Sequence, residues 1–146
     1  MPFLKDIMTP DVEVIVPDAT AEEASIRMRD RNIGAIPVCN AQKLIGMVTD
    51  RDLVIRVMAE GQHPKGVRVA DAMTRELYYC FEDDEIQKAA ALMAEKQIRR
   101  LPVISRSKRL VGIVSLGDLA ARSTEPHTGG HVLKKVADSR SPGSGS

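Results

Sequence analysis

Aromatic residues are scarce in this sequence. They make up 3% of the 146 residues, tryptophan is absent, and the four that occur are Phe3, Tyr78, Tyr79 and Phe81. A folded core must therefore be built from Val, Ile, Leu, Met and Ala. The same scarcity removes the stacking platforms on which proteins that bind single-stranded nucleic acid often rely.

Long apolar runs and an excess of charge of one sign are also lacking. No apolar stretch approaches the ~18–20 residues of a membrane-spanning helix, and the N-terminus has no apolar segment typical of a secretory signal. The 21 basic and 20 acidic residues leave a formal net charge of +1, whereas general nucleic-acid binding needs a basic surface. We therefore expect a cytoplasmic protein that contacts neither membranes nor nucleic acid.

Cysteines and catalytic motifs are few as well. Cys39 and Cys80 are the two cysteines, too few for a disulfide framework or a four-ligand zinc site, and we predict free, buried thiols. The three histidines, His63, His127 and His131, lie in the linker and the tail, far from any partnered nucleophile. No metalloprotease, nucleophile-elbow, P-loop or dinucleotide-binding motif is present. We expect no enzymatic activity, no required cofactor and no metal.

What the chain does contain is an internal repeat. Asp-Ile-Met-Thr at 6–9 returns as Asp-Ala-Met-Thr at 71–74. In the same order, residues 32–38 return as 97–103, and residues 44–49 return as 110–115. We predict two repeats at 4–58 and 68–122, joined by a polar Gly/Pro linker at 59–67. A polar tail at 123–146 is expected to be disordered, apart from a short helix at 131–138.

Each repeat is predicted to run strand, helix, strand, strand, helix. The first strand covers residues 12–16 in copy one and 77–81 in copy two. Thr20 and Glu23 form a capping-box pattern before the first helix, and Asp84 and Gln87 hold the corresponding places in copy two. Helical spacing of the apolar residues supports both helices; these residues are Ala21, Ala24 and Met28, then Ile86, Ala89, Ala90 and Met93.

The second half of each repeat is predicted from apolar runs. Residues 36–38 and 101–104 contain a proline suited to the start or edge of a strand. A turn follows, at 39–43 or 105–109. The continuous apolar runs 44–49 and 110–115 predict fully buried strands, and a second helix is expected to begin near Asp50 or Leu116.

A hydroxyl and a carboxylate three residues apart recur where this last strand meets the helix. Thr49 and Asp52 form the pair in copy one, and Ser115 and Asp118 form it in copy two. A hydroxyl beside first-turn amides suits a phosphate or ribose oxygen, and a carboxylate can accept hydrogen bonds from both ribose hydroxyls. The same spacing is also an ordinary helix cap. The two roles are compatible, and the residues alone leave both open.

The repeat resembles the CBS domain, named for cystathionine β-synthase, and two in tandem resemble a Bateman module of the small stand-alone bacterial type. The resemblance is carried by residues 6–9, 36–38 and 46–53 and their partners in copy two. It implies a mixed α/β fold (α+β) with two β-α-β-β-α repeats packed about a pseudo-twofold axis. It also implies clefts between the repeats that bind an adenine nucleotide: AMP foremost, or ADP, ATP, NAD or S-adenosylmethionine.

The resemblance also assigns the candidate binding residues. Thr49, Asp52, Ser115 and Asp118 would bind ribose. Arg99 and Arg100 would contact phosphate, and the forked guanidinium suits that role, although a solvated loop face is the alternative. Copy one has Gly34 and Ala35 at the corresponding places, which puts in doubt whether both clefts hold a phosphorylated ligand equally well.

An apolar pocket for the base would complete each cleft. By the pseudo-twofold logic of the family, Asp118 is grouped with Ile113 and Ser115 and, across the axis, with Met8, Ile33 and Gly34. Asp52 is grouped with Met47 and Thr49 and, across the axis, with Met73, Tyr79 and Ile98. An isolated Ile or Met in such a run is more often plain core, so these residues are named only for the motif positions they occupy.

The sequence therefore favours a non-catalytic regulatory module. It would sense an adenine nucleotide, associate as a disc-like homodimer and signal to an unidentified partner protein. The alternative is a dimeric scaffold or stress protein of the same fold, with empty clefts, that acts through protein–protein contacts.

Overall fold

The computed structural model describes residues 2–122, and none of the helices in that range is long and apolar enough to span a membrane. Helices and strands are interspersed along this part of the chain, as expected for a mixed α/β fold. The helices are α1 (Ala21–Arg31), α2 (Asp50–Leu53), α3 (Val69–Ala72), α4 (Ile86–Lys96) and α5 (Leu116–Arg122). The strands are β1 (Ala35–Asn40), β2 (Lys43–Thr49), β3 (Cys80–Phe81), β4 (Arg100–Ile104) and β5 (Leu110–Ser115). A π-helical turn (Val54–Met58) continues α2, and 3-10 turns occur at Leu4–Asp6 and Pro64–Gly66.

The chain divides into two compact units, and each contains a piece of the other sequence repeat. The Asp52 unit comprises residues 13–77 and 108–110. The Asp118 unit comprises residues 2–12 and 78–107, and the described residues from 111 onward. The start of the chain therefore folds with the second repeat, and the start of the second repeat folds with the first.

A hairpin is the centre of the Asp52 unit. Strands β1 and β2 pair antiparallel, with Ala35 opposite Thr49 at one end and Asn40 opposite Lys43 at the other. Ile15 makes a parallel bridge to β1, and Thr74 makes an antiparallel bridge to Met47 of β2. Fully buried aliphatic side chains form the core of this unit; they include Ile15, Ile36, Val38, Val48 and Val69.

The Asp118 unit repeats this arrangement with a three-stranded sheet. Strand β3 pairs parallel with β4, and β5 lies on the other side of β4. Thr9 makes an antiparallel bridge to Ile113 of β5. The core of this unit also consists of aliphatic side chains and methionine; it includes Leu4, Met93, Leu101, Val103, Val114 and Leu119.

We call residues 2–12 and 68–77 the exchanged segments, because each folds in the unit that contains the other repeat's hairpin. The Asp-x-Met-Thr motif in each segment holds it against that unit. Met8 lies over Gly112 of β5, and a Cβ on that glycine would stand 2.6 Å from the methionine sulfur. Met73 lies over Gly46 of β2 at the same 2.6 Å. A side chain at either glycine would collide with the motif. This close contact explains why glycine occurs here, although glycine weakens the interior of a strand.

The predictions for four helices are confirmed. The apolar stripes of α1 and α4 are buried as expected. Helices α2 and α5 begin at Asp50 and Leu116. The tail and the short helix predicted at 131–138 lie outside the described residues.

The predicted first strands are wrong in length. Of residues 12–16 only Ile15 pairs: its N–H donates to the Pro37 carbonyl at 3.1 Å, and its carbonyl accepts from Cys39 at 3.0 Å. Val14 and Val16 point outward with 38% and 57% exposure, so their β-branched side chains do not pack against a sheet. In copy two the predicted strand at 77–81 shrinks to Cys80–Phe81.

The predicted caps of α1 and α4 are also corrected. The Thr20 hydroxyl accepts from the Glu23 amide at 3.1 Å, but the Glu23 carboxylate pairs with Arg27 at 3.0 Å instead of reaching back. Helix α4 is preceded by Glu85, which makes no side-chain cap. Asp84 accepts from the Phe81 amide at 2.8 Å and so closes the β3–α4 turn.

Strands β2 and β5 are not fully buried, contrary to the prediction. Gly46 and Val48 are buried in β2, as are Gly112 and Val114 in β5, while the residues between them are partly exposed. Alternate side chains of a strand face opposite sides, and here one side covers the core while the other stays open. The predicted turn at 39–43 is likewise shorter, with Ala41 and Gln42 between the paired strands at positive φ.

Candidate functional site

Thr49 and Asp52 form a closed hydrogen-bonded pair at the end of β2. The Asp52 amide donates to the Thr49 hydroxyl at 3.1 Å, and the Thr49 amide donates to Asp52 Oδ2 at 2.9 Å. This is a reciprocal capping box, so the helix-cap interpretation of the motif is correct in geometry. Asp52 is only 8% exposed, and its carboxylate depends on these bonds for compensation of its burial.

Two residues that sequence reasoning missed attach the exchanged segment to this place. The Thr74 hydroxyl donates to Asp52 Oδ1 at 3.0 Å. Arg56 donates from Nη1 to the carbonyls of Ala72 at 3.0 Å and Met73 at 2.6 Å. The signal for Thr74 was present, since a threonine closes the Asp-x-Met-Thr motif in both copies.

Ser115 and Asp118 form the matching pair in the Asp118 unit. The Asp118 amide donates to the Ser115 hydroxyl at 3.0 Å, and the Ser115 amide donates to Asp118 Oδ2 at 2.9 Å. Asp118 is partly exposed, unlike Asp52. Both candidate pairs are therefore built alike, but they differ in solvent access.

A loop after each long helix lies beside its pair. In the Asp52 unit the Gly34 carbonyl accepts from the Asp50 amide at 2.9 Å, and in the Asp118 unit the Arg99 carbonyl accepts from the Leu116 amide at 2.8 Å. Each loop starts from a left-handed residue, Asn32 or Gln97. This turn places Gly34 and Arg99 at equivalent positions, against the first residues of α2 and α5.

The apolar candidates fall into the same two units. Met47 and Ile113 lie on the partly exposed side of β2 and β5, and Ile33 and Ile98 are partly buried against the two cores. Met73 is 3% exposed and belongs to the core, whereas Met8 is partly exposed. Tyr79 is 37% exposed and meets Phe81 edge to face, with 5.8 Å between ring centroids.

The basic run 99–109 is divided by the structure. Arg106 pairs with Asp83 at 2.9 Å and lies 4.0 Å from the Phe81 ring centroid. The hydrogen bond from this guanidinium lowers the pKa of Asp83. Arg99 and Arg100 are exposed, and no carboxylate among the described residues pairs with them. Their guanidinium groups are thus available to an external anion.

The cysteines match their prediction. Both are free and buried. Burial raises the pKa of Cys39, and burial together with nearby Asp84 raises the pKa of Cys80 to about 11. Within residues 2–122 no group of three or more His, Cys, Asp or Glu side chains could hold a metal ion.

Two sets of candidates result, one in each unit. The Asp52 unit contains Ile33, Gly34, Met47, Thr49, Asp52 and Met73, and the Asp118 unit contains Met8, Tyr79, Ile98, Arg99, Arg100, Ile113, Ser115 and Asp118. The pairing of residues across the axis stays a prediction.

Duplicated α/β units with exchanged edge segments and a repeated hydroxyl–carboxylate pair define a class of regulatory tandem-repeat modules. The family model for the CBS domain matches this chain twice, at residues 4–59 and 69–125. The chain therefore belongs to the CBS-domain family and carries a tandem CBS pair.

Relatives cover almost the whole chain. The CBS domain-containing protein YhcV of Bacillus subtilis (strain 168) is 39% identical over 137 residues, which are 94% of this chain and 96% of the relative. The crystal structure of Hypoxic Response Protein I with two coordinated zinc ions is 38% identical, with a TM-score of 0.76 and coverage of 83% of this chain and 98% of the other. That of CBSX2 in complex with AMP is 25% identical, with a TM-score of 0.72 and coverage of 83% and 95%.

Proposed function

We propose that this protein is a non-catalytic cytoplasmic module that senses an adenine nucleotide, with AMP the first candidate. The observation that carries the proposal is the repeated pair of a hydroxyl and a carboxylate at the open end of β2 and β5. A similar structure, CBSX2, was solved in complex with AMP. ADP, ATP, NAD and S-adenosylmethionine share the adenosine group and are the remaining candidates.

The geometry around each pair suits the parts of a nucleotide. Thr49 and Ser115 present hydroxyl oxygens, and Asp52 and Asp118 present carboxylates that can accept from ribose hydroxyls. Partly exposed Met47 and Ile113 on the neighbouring strand positions supply apolar surface for a base. Arg99 and Arg100 add exposed positive charge on the side of Asp118, where phosphate groups would be bound bidentately.

Thermal unfolding in the presence of nucleotides tests this function. A ligand that binds the native state stabilises it by RT ln(1 + [L]/Kd), about 2.7 kcal/mol at 100 times Kd. We expect AMP to raise Tm and 2′-deoxy-AMP to raise it less, because one ribose hydroxyl is missing. An unchanged Tm with all five adenine compounds at millimolar concentration would refute nucleotide sensing.

A ligand-free scaffold remains the second candidate, because one observation favours it. In both pairs the hydroxyl and one carboxylate oxygen already accept from backbone amides as a capping box, so each helix start is hydrogen-bonded without a ligand. Calorimetry with AMP separates the two candidates: a scaffold gives no heat of binding, and a sensor gives a saturable one.

We further propose that the protein is a homodimer that associates through an apolar face of the Asp52 unit. A groove of about 540 Å³ opens there between α1 and the α2 segment, by which we mean α2 and the π-helical turn that continues it, residues 50–58. Val54, Ile55 and Met58 are 52%, 47% and 75% exposed on this segment. Exposed apolar patches of this kind mark interaction surfaces.

The charge of this face favours a second copy over a charged partner. Helix α1 carries three acidic and three basic residues, and residues 50–58 carry two of each. Two copies of a neutral face do not repel each other, and a twofold interface brings the same patch together from both subunits. In this arrangement nucleotide binding would change how the two subunits pack, and a partner protein would recognise the changed dimer.

The oligomeric state tests the homodimer. Met58→Glu is expected to give a monomer by light scattering, because a charge would be buried in the interface. Val16→Glu is the matched control, since Val16 is similarly exposed at 57% but lies outside this face. A wild-type monomer, or a Met58→Glu dimer, would exclude the proposed surface.

A further inference from the structure

The two candidate carboxylates differ in what already occupies them. Both oxygens of Asp52 are bonded: Oδ2 accepts from the Thr49 amide at 2.9 Å and Oδ1 accepts from the Thr74 hydroxyl at 3.0 Å. The side chain is also nearly inaccessible, at 8% exposure. A ribose that bound here would compete with the Thr74 hydroxyl for a carboxylate that is already buried and hydrogen-bonded.

Asp118 is open by comparison. Its Oδ2 accepts from the Ser115 amide at 2.9 Å, and no side chain in the described range donates to its Oδ1. Thr9 is the counterpart of Thr74, since each makes an antiparallel bridge to the last strand of its unit. Thr9 is exposed, however, and its hydroxyl makes no bond to Asp118.

The charges beside the two carboxylates differ in the same direction. In the Asp118 unit, Arg99 contacts the start of α5, Arg100 begins β4, and the helix starts with apolar Leu116. Next to Asp52, the loop carries Gly34, and the helix starts with Asp50, whose carboxylate lies 3.0 Å from where a Gly34 Cβ would be. A phosphate bound at the start of α5 would have two cationic residues in the adjacent segment, whereas at the start of α2 it would have the Asp50 carboxylate.

We infer that the protein binds one phosphorylated ribonucleoside per chain, at Asp118, and that Asp52 is closed by Thr74 and serves to position the exchanged segment. This inference rests on the proposed function and specifies which of its two sites is used. A hydrogen bond to a charged group corresponds to a factor of roughly ten to a hundred in affinity. Competition with the Thr74 hydroxyl for Asp52 Oδ1 is therefore expected to weaken the Asp52 site about tenfold.

Calorimetry with AMP on the full chain is the test. We expect one AMP per chain for the wild type. Asp118→Asn should weaken binding at least about tenfold, because the amide can still accept from Ser115 but offers a hydroxyl ligand no charged acceptor. Since Asn keeps the cap, loss of binding in this variant is not loss of the fold, and its Tm without ligand verifies this.

Two further variants examine the Asp52 site. Thr74→Val together with Asp50→Asn frees the second oxygen of Asp52 and removes the repelling charge, so a second, weaker AMP per chain is expected. Asp52→Asn should lower Tm because Thr74 loses its charged acceptor, and a loss of AMP binding in that variant would count against the inference.

The outcomes distinguish a failure of the Asp118 assignment from a failure of the proposed nucleotide sensing. Two equal sites in the wild type, or one site that Asp118→Asn leaves intact, would overturn the inference while nucleotide sensing stands. No AMP binding by the wild type, together with no binding of ADP, ATP, NAD or S-adenosylmethionine, would overturn both.

Discussion

Gly46 and Gly112 are the residues on which the exchanged motifs depend most directly. A Cβ at Gly46 would lie 2.6 Å from the Met73 sulfur and 3.1 Å from the Thr74 carbonyl oxygen. At Gly112 the distances to the Met8 sulfur and the Thr9 carbonyl are 2.6 and 2.9 Å. The methionine can move, but the carbonyls belong to the bridges that attach each motif to its sheet.

Alanine at either glycine is therefore expected to destabilise the protein. Gly46→Ala and Gly112→Ala should each lower the free energy of unfolding by about 1–3 kcal/mol, the usual cost of overpacking. Gly66→Ala is the control, because nothing lies within 4 Å of its Cβ position. Urea unfolding measures all three, and equal stability of the three variants would show that the motifs do not crowd the strands.

Recognition of single residues from the sequence succeeded where the pattern was local. The Thr49–Asp52 and Ser115–Asp118 pairs were found because a capping box is fixed by a spacing of three residues. Thr74 was missed as their neighbour, since its bond to Asp52 spans 22 residues. No local pattern reveals that the carboxylate of one of two equivalent motifs already accepts a hydrogen bond from so distant a hydroxyl.

At the scale of elements, helices were predicted better than strands. Helices α1 and α4 carry their apolar stripes within their own residues. The strand predicted at 12–16 depends on a partner, and only Ile15 finds one. The β-branched composition of a segment thus indicates what fits a sheet, and tertiary context decides how much of it pairs.

A contact between two turns gives a pH-dependent prediction at this scale. Arg106 of the β4–β5 turn binds Asp83 of the β3–α4 turn and lowers the pKa of that carboxyl. A folded-state pKa below the usual value of about 3.9 means that the pair stabilises the fold above that pH. This contribution is lost as the pH falls through the lowered pKa.

Asp83→Asn removes the titrating group and leaves Arg106 over the Phe81 ring. The Tm difference between wild type and variant is expected to be small, because the pair is exposed and screened. It should be constant from pH 7 to about pH 5, begin to fall at about pH 4, and vanish only below the lowered pKa of Asp83. A difference that grows as the pH falls would contradict the assignment.

At the scale of the whole molecule, sequence repeat and folding unit are not the same thing. The repeat was visible in the sequence because motifs recur in order. The sequence did not reveal that the starts of the two repeats are exchanged. The last strand of each repeat has an equivalent glycine, so Met8 and Met73 could each pack on either strand. Leu4 and Val69, both 0% exposed, lie in the exchanged segments, and each belongs to the core of the unit that contains the other repeat's hairpin.

This exchange predicts where two matched core mutations act. Leu4→Ala should destabilise by about 2–5 kcal/mol and reduce hydrogen-exchange protection first in β4 and β5, although these strands lie about a hundred residues further along the chain. Val69→Ala removes fewer carbons and should cost less, with the first loss of protection in β1 and β2. The two variants control for each other, because both create a cavity in a buried aliphatic core. If Leu4→Ala instead exposed the amides of β1 and β2 first, the start of the chain would fold with its own repeat, and the closure of Asp52 by Thr74 would lose its structural basis.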